Sequence, residues 1–234
     1  MRMRNFGCML ITLTLAAAPC AFADTVTWAT LAGPNQTTQT DSGTETGTIG
    51  SIGFTYTGEL AFVNGSGLGN TNYFTPLSTY TSATDTNAPI DGALIAISGD
   101  GTTDTITFAA PVTGLILSEV SLGQGGVPTA YTFSDTFTVL SCGPGTIYGG
   151  GCFNQAAGST GNSTLSANEG DGTIEFDGTI SSLTFTTAHG EYWNGFDIGL
   201  LPQTPAPTPE PGTLLMVGTG LAGLLGAARR KLAA

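Results

Sequence analysis

Between residues 48 and 200 apolar and polar positions alternate over short stretches, with Thr, Gly, Asn and Asp filling the polar places and the gaps. Alternation of period two is the mark of a half-buried strand. It places one candidate strand at residues 48–56. The unbroken apolar run Ala93-Leu94-Ile95-Ala96-Ile97 is dense enough for a central strand. Residues 103–108 put Ile106 and Phe108 on one face, and a further strand runs through Leu115, Leu117 and Val120. Tyr131, Phe133, Phe137 and Val139 mark the next; Ile174 with Phe176, then residues 180–185, then 192–200 complete the set. No helical period interrupts them. Short strands joined by Gly/Asp/Asn turns predict one all-β domain over residues 24–200, a single antiparallel β-sandwich of jelly-roll type. A β-barrel or a solenoid is the runner-up, and no fixed repeat period appears. Residues 33–46 and 65–89 are polar and irregular, long for loops of a compact domain.

The pattern changes at both ends. Residues 1–23 begin with Arg2 and Arg4, continue through an apolar stretch from Cys8 to Ala18, and close on Ala21-Phe22-Ala23. That order predicts an N-terminal signal helix cleaved after Ala23, with Cys20 leaving alongside it. Prolines at 202, 205, 207, 209 and 211 make residues 201–211 an extended spacer. An uncharged apolar run from Gly212 to Ala228 follows, then Arg229-Arg230-Lys231. As a helix this run is about 25 Å long, near the lower limit for a bilayer core. Residues 212–234 are therefore expected to form a C-terminal transmembrane helix with a basic cytoplasmic stop. Gly218, Ala222 and Gly226 give it one small-residue face.

The motif Pro209-Glu210-Pro211, the short apolar helix and the cluster Arg229, Arg230 and Lys231 together resemble the PEP-CTERM sorting signal of exported bacterial proteins. The resemblance implies that an exosortase-type membrane protease recognises Pro209, Glu210 and Pro211 and cuts nearby, and that Arg229, Arg230 and Lys231 act as the stop. It also implies a membrane-anchored precursor whose mature domain is periplasmic, on the cell surface or extracellular. Residues 169–185 and 191–196 resemble the final strands of PEP-CTERM surface proteins, which agrees with a β-rich domain and brings no catalytic residues.

Charge sharpens this picture. The 234-residue chain has 5 Lys and Arg against 17 Asp and Glu, and the cations all lie in the two end segments. Between residues 24 and 208 there is no Lys or Arg, while every acid except Glu210 falls there. Such a body has no cation with which to displace phosphate counterions, so nucleic acid is excluded as a partner, and anionic lipid headgroups are poor ones. Divalent cations, neutral sugars and other proteins remain.

Candidate chemistry is sparse. Cys142 and Cys152 flank a Gly-rich loop and are expected to pair in an oxidising compartment. His189, the only histidine, stands in a turn with no nucleophile motif near it. Glu175 and Glu191 are the carboxylate pair considered for a glycosidase. Hard oxygen ligands on Gly-rich loops suit calcium. Asp100 and Asp104 offer one such run, and Asn168, Glu169 and Asp171 another; ordinary Asp/Asn turn chemistry is the competing account. Trp28, Tyr192 and Trp193 are the aromatics considered for stacking on sugars. Tyr192 and Trp193, being adjacent, point to opposite faces, so one is expected in the core and the place of the other is left open. No organic cofactor is expected. The chain reads as an exported surface or extracellular-matrix protein without catalysis of its own, linked by the resemblance to exopolysaccharide and biofilm. The alternative is a lectin-like, calcium-dependent carbohydrate-binding module, and the third reading is a secreted glycoside hydrolase.

Overall fold

Burial of period two builds most of the strands. Fourteen follow in chain order among the described residues: β1 (Thr27–Leu31), β2 (Thr40–Ile49), β3 (Ile52–Leu60), β4 (Phe62–Asn64), β5 (Leu94–Ile97), β6 (Thr103–Thr113), β7 (Leu115–Leu122), β8 (Thr129–Phe133), β9 (Phe137–Gly143), β10 (Asn154–Gly158), β11 (Gly161–Ala167), β12 (Gly170–Phe176), β13 (Thr179–Ala188) and β14 (Asn194–Leu200). A helix, α1 (Pro211–Leu232), closes the chain. The computed structural model describes residues 25–33, 40–65, 72–90, 92–98, 101–145, 150–158, 161–188, 190–202 and 211–232. In β6, Asp104, Ile106 and Phe108 are buried while Thr103 and Thr107 are exposed. In β13, Ile180, Leu183 and Phe185 turn inward in the same way.

All strand-to-strand pairings are antiparallel. They run in one hydrogen-bonded path, β10-β11-β8-β13-β6-β3-β2-β1-β14-β7-β12-β9, with β5 attached to β14 and β4 to β5. The fold is all-β, as the alternation predicts. β1 is the hinge of the path. Thr27 and Trp28 pair with β14, whereas Ala29, Thr30 and Leu31 pair with β2, so one strand joins the two halves of the ladder. The two ends of the path also meet. The Gln155 side-chain amide on β10 donates to the Phe137 carbonyl on β9 at 2.9 Å, and the Cys142–Cys152 disulfide ties β9 to the segment entering β10. The expected pairing of the two cysteines is thus present, with Cα atoms 4.9 Å apart.

One apolar cluster lies between the halves. Phe133 packs edge-on against Phe176 and Phe137, and Phe185 against Phe196, with ring centroids 4.9–5.8 Å apart. β7 is different, because all eight of its residues are buried. Its second face is covered by the segment 72–90, whose Phe74, Tyr80 and Ala88 form a second cluster with Leu94, Ala96 and Val120. The irregular stretch seen in the sequence is therefore a cover for the sheet, held in place where Asn87 accepts from Val26 N at 2.7 Å and donates to Val26 O at 3.0 Å.

Three strand expectations need correction. Residues 48–56 are not one strand: Gly50, at φ 58°, turns the chain so that Ile49 pairs with Ile52 in a tight hairpin. Residues 40–46 are not a loop but the outer half of β2, where polar side chains pair along β3 and only Glu45 is buried. The stretch 131–139 breaks at Ser134 and Asp135 into β8 and β9.

The expected C-terminal helix forms as α1, and its side chains from Met216 to Leu224 are exposed. Among the described residues no helix is long and apolar enough to cross a membrane.

Candidate functional site

Arg229, Arg230 and Lys231 occupy the last turn of α1 and are exposed, placing three cations at the end of the helix that favours them. Pro211 is the first residue of that helix, where its missing N–H costs nothing. Pro209, Glu210, Ala21, Ala23, Asp100 and His189 lie outside the described residues.

Asp104 on one side, and Asn168, Glu169, Asp171 and Glu191 on the other, belong to two polar clusters. The first is built on Asp104 of β6. Its Oδ1 accepts from Glu59 N at 2.8 Å and lies 3.1 Å from the Tyr56 hydroxyl, while Oδ2 is buried without a hydrogen bond. Glu59, also buried, accepts from the Ser98 amide at 3.1 Å and from the Ser98 hydroxyl. Burial pushes the Asp104 carboxyl up to about 6. Gly58 makes this packing feasible, since a Cβ there would stand 2.0 Å from Asp104 Oδ1. Asp104 is thus an interior acid of the core.

The second cluster lies where β7, β12 and the entry to β14 meet. Asp171 is fully buried; its Oδ1 accepts from Ser121 N and the Tyr80 hydroxyl, both at 3.0 Å, and Oδ2 from Gly145 N at 3.0 Å. Glu169 accepts from the Ser121 hydroxyl at 2.8 Å and from Gly125 N at 3.2 Å. Asn168 accepts from Gly126 N at 3.1 Å. Glu191 accepts from Gly123 N at 2.9 Å and from the Asn194 amide. Glu119 is fully buried, with Oε1 3.2 Å from the Tyr131 hydroxyl and Oε2 without a hydrogen bond. Burial lifts the Asp171 carboxyl to about 6, the Glu191 carboxyl to about 7 and the Glu119 carboxyl well above the usual range, and no Lys or Arg stands in the body to oppose it.

The expected calcium run Asn168, Glu169 and Asp171 is therefore brought together, but its oxygens already hold backbone amides and hydroxyls. Among the described residues no group of three or more His, Cys, Asp or Glu is placed to hold a metal ion. The carboxylate pair Glu175 and Glu191 is not brought together. Glu175 pairs with Ile116 while Glu191 binds Gly123 beyond the far end of β7, about 20 Å along the strand at ~3.3 Å per residue. That exceeds either glycosidase spacing.

A cleft of about 160 Å³ opens beside this second cluster, lined by Ser121, Gln124, Glu169, Glu191, Tyr192 and Trp193. Three turns, 123–126, 168–169 and 190–193, supply it together with Ser121 near the end of β7. Tyr192 is 87 % exposed, while Trp193 packs edge-on against Phe62 and Tyr73 with centroids 5.0 and 5.6 Å away. One of the pair packs inward, as expected, and the other is exposed, but not through strand alternation: β14 begins at Asn194, and Tyr192 and Trp193 stand in the turn before it. Trp28 is structural: its indole N–H donates to Asn87 O at 2.8 Å and its ring covers Gly199. Ser121, Gln124 and Glu119 escaped sequence reading. A Glu and two Ser inside the apolar strand Leu-Ile-Leu-Ser-Glu-Val-Ser-Leu were the available signal, because an acid in such a run is rarely buried without purpose.

Residues 207–231 match the PEP-CTERM protein-sorting motif. The chain carries the signal of an exosortase substrate, an exported protein made as a membrane-anchored precursor. It matches no curated protein and no solved structure at a significant level.

Proposed function

We propose that the chain is a surface or extracellular-matrix protein, without catalysis of its own, whose domain is delivered outward by a removable tail and associates with polysaccharide or matrix protein. The sorting motif at residues 207–231 carries the reading. Three features support it. The N-terminal segment has the order of a signal peptide, so the body meets an oxidising compartment, where Cys142 and Cys152 pair. The body has no Lys or Arg, which directs it away from polyanions and toward neutral partners. The proline-rich sequence of residues 201–211 is of the kind that favours an extended spacer, which suits a motif that a protease must reach. The mature product is periplasmic, on the cell surface or extracellular.

Replacing Pro209, Glu210 and Pro211 together by alanine in the native host tests this directly. The unaltered protein is expected outside the inner membrane. The triple variant is expected to stay in the membrane fraction at precursor size. Release of the variant at the size and rate of the unaltered protein would overturn the assignment.

A further inference from the structure

We infer that the cleft formed by Ser121, Gln124, Glu169, Glu191, Tyr192 and Trp193 is a binding site for one ring of an uncharged saccharide. Four observations converge on it.

The first is backbone strain. Among the described residues Ser121 and Glu169 are the only two non-glycine residues with positive φ, at 62° and 64°. Both line the cleft, and they hydrogen-bond to each other. Conformations of this kind persist where surrounding structure over-determines them, and they concentrate at ligand sites.

The second is an aromatic surface left exposed among the described residues. Tyr192 is 87 % exposed beside a Trp that is anchored by two other rings. Sugar rings present an apolar C–H face to such a surface, while the phenol reaches their hydroxyls.

The third is rigidity. Backbone amides of Gly123, Gly125 and Gly126 are held by Glu191, Glu169 and Asn168. The rim turn is closed by Gln124 and Val127, which exchange backbone hydrogen bonds at 3.1 and 2.8 Å. A site already ordered loses little entropy on binding.

The fourth is chemical selection. The polar groups on the walls are two carboxyls, an amide, two hydroxyls and an indole N–H; all but the indole can accept from sugar hydroxyls, and none is cationic. A uronate, sulfate or phosphate group would face Glu169 and Glu191 with no compensating charge. The cleft volume of about 160 Å³ lies below the range of pockets that engulf a ligand, so it receives one ring and leaves the rest of a polymer in solvent.

This inference rests on the proposed exported role only for where the ligand is met. The full-length chain is titrated with neutral gluco-, manno-, galacto- and xylo-oligosaccharides, and with uronic-acid oligomers of equal length. Calorimetry and Trp fluorescence are the readouts, with chelator present and then with millimolar calcium. At least one neutral series is expected to bind with Kd on the order of millimolar per ring, in chelator, and to perturb Trp193. Tyr192→Ala, at a surface position that leaves folding intact, is expected to weaken binding by about tenfold or more. Glu169→Gln keeps an acceptor and is expected to weaken it less. Absence of binding by all four neutral series, equal binding of uronates, binding only with calcium, or an unchanged Kd in Tyr192→Ala would each overturn the site. A tail removed in the native host with no sugar binding in the titration defeats this inference alone, and sugar binding in the titration with the tail retained in the native host defeats the sorting proposal alone.

Discussion

Raising the pH is expected to destabilise the domain across the slightly acidic range, opposite to the behaviour of proteins whose carboxylates are paired with cations. Asp85, Asp104 and Asp171 hold their protons up to about pH 6 in the fold, against 3.8 for the free side chain. Glu191 holds its proton to about 7, against 4.5. Burial is the leading cause in each case. The folded state therefore binds more protons than the unfolded one between about pH 4 and pH 7. The stabilisation is fully present below the unfolded values and is lost as the pH rises through the folded ones. Each carboxyl that is protonated in the fold and ionised in the unfolded chain contributes about 1.4 kcal/mol per pH unit. Water entry and relaxation around ionising acids reduce the sum, so two such groups acting at once are taken as the working figure. They imply a loss of about 4 kcal/mol between pH 5 and pH 6.5. For a domain of this size that lowers Tm by about 10 °C. Thermal unfolding followed by circular dichroism from pH 5 to pH 8 measures it, staying above the isoelectric point near 4.1. Asp104→Asn mimics the protonated acid and is expected to flatten the slope by about one proton while raising Tm at pH 7.5. A Tm that is constant or rises from pH 5 to pH 6.5 would refute the reasoning.

Three further outcomes follow from the same contacts. Gly58→Ala drives a methyl group onto Asp104 Oδ1 and is expected to cost about 2–4 kcal/mol in denaturant unfolding, whereas a cost under about 0.5 kcal/mol would contradict the packing. Reducing Cys142–Cys152 removes a crosslink across ten residues between the two ends of the strand path. Unfolding with and without reductant is expected to differ by about 2–3 kcal/mol, and equal midpoints would count against that role. Incubation with neutral polysaccharides is expected to leave them intact by reducing-end assay; cleavage that disappears in Glu191→Gln would overturn the non-catalytic reading.

Strand class was legible because Thr and apolar residues alternate over β6 and β13, where one face is wet. Where burial is two-sided the alternation vanishes. The all-buried β7 was placed through Leu115, Leu117 and Val120, but its burial on both faces was not read, and nothing local announced that residues 72–90 would cover it. The outer half of β2 was missed for the opposite reason, because it has Thr, Asp and Gly and is held by pairing with β3 rather than by apolar burial. In the cleft, Glu169, Glu191, Tyr192 and Trp193 were legible as chemistry but not as a group. Their meeting depends on the register of β7 with β12 and β14, which adds Ser121 and Gln124 from a distant part of the chain. The sorting tail was readable throughout, since its three elements are contiguous in sequence and need no fold to bring them together.

The most direct test of the sorting account is the intact mass and terminal sequencing of the protein recovered from outside the native host's inner membrane. The account predicts a chain that begins at Asp24, retains the Cys142–Cys152 bond and ends close to Pro209-Glu210-Pro211, without Arg229, Arg230 and Lys231. A recovered chain that still ends at Ala234, or one that keeps Met1 and the full 23.6 kDa, would contradict it.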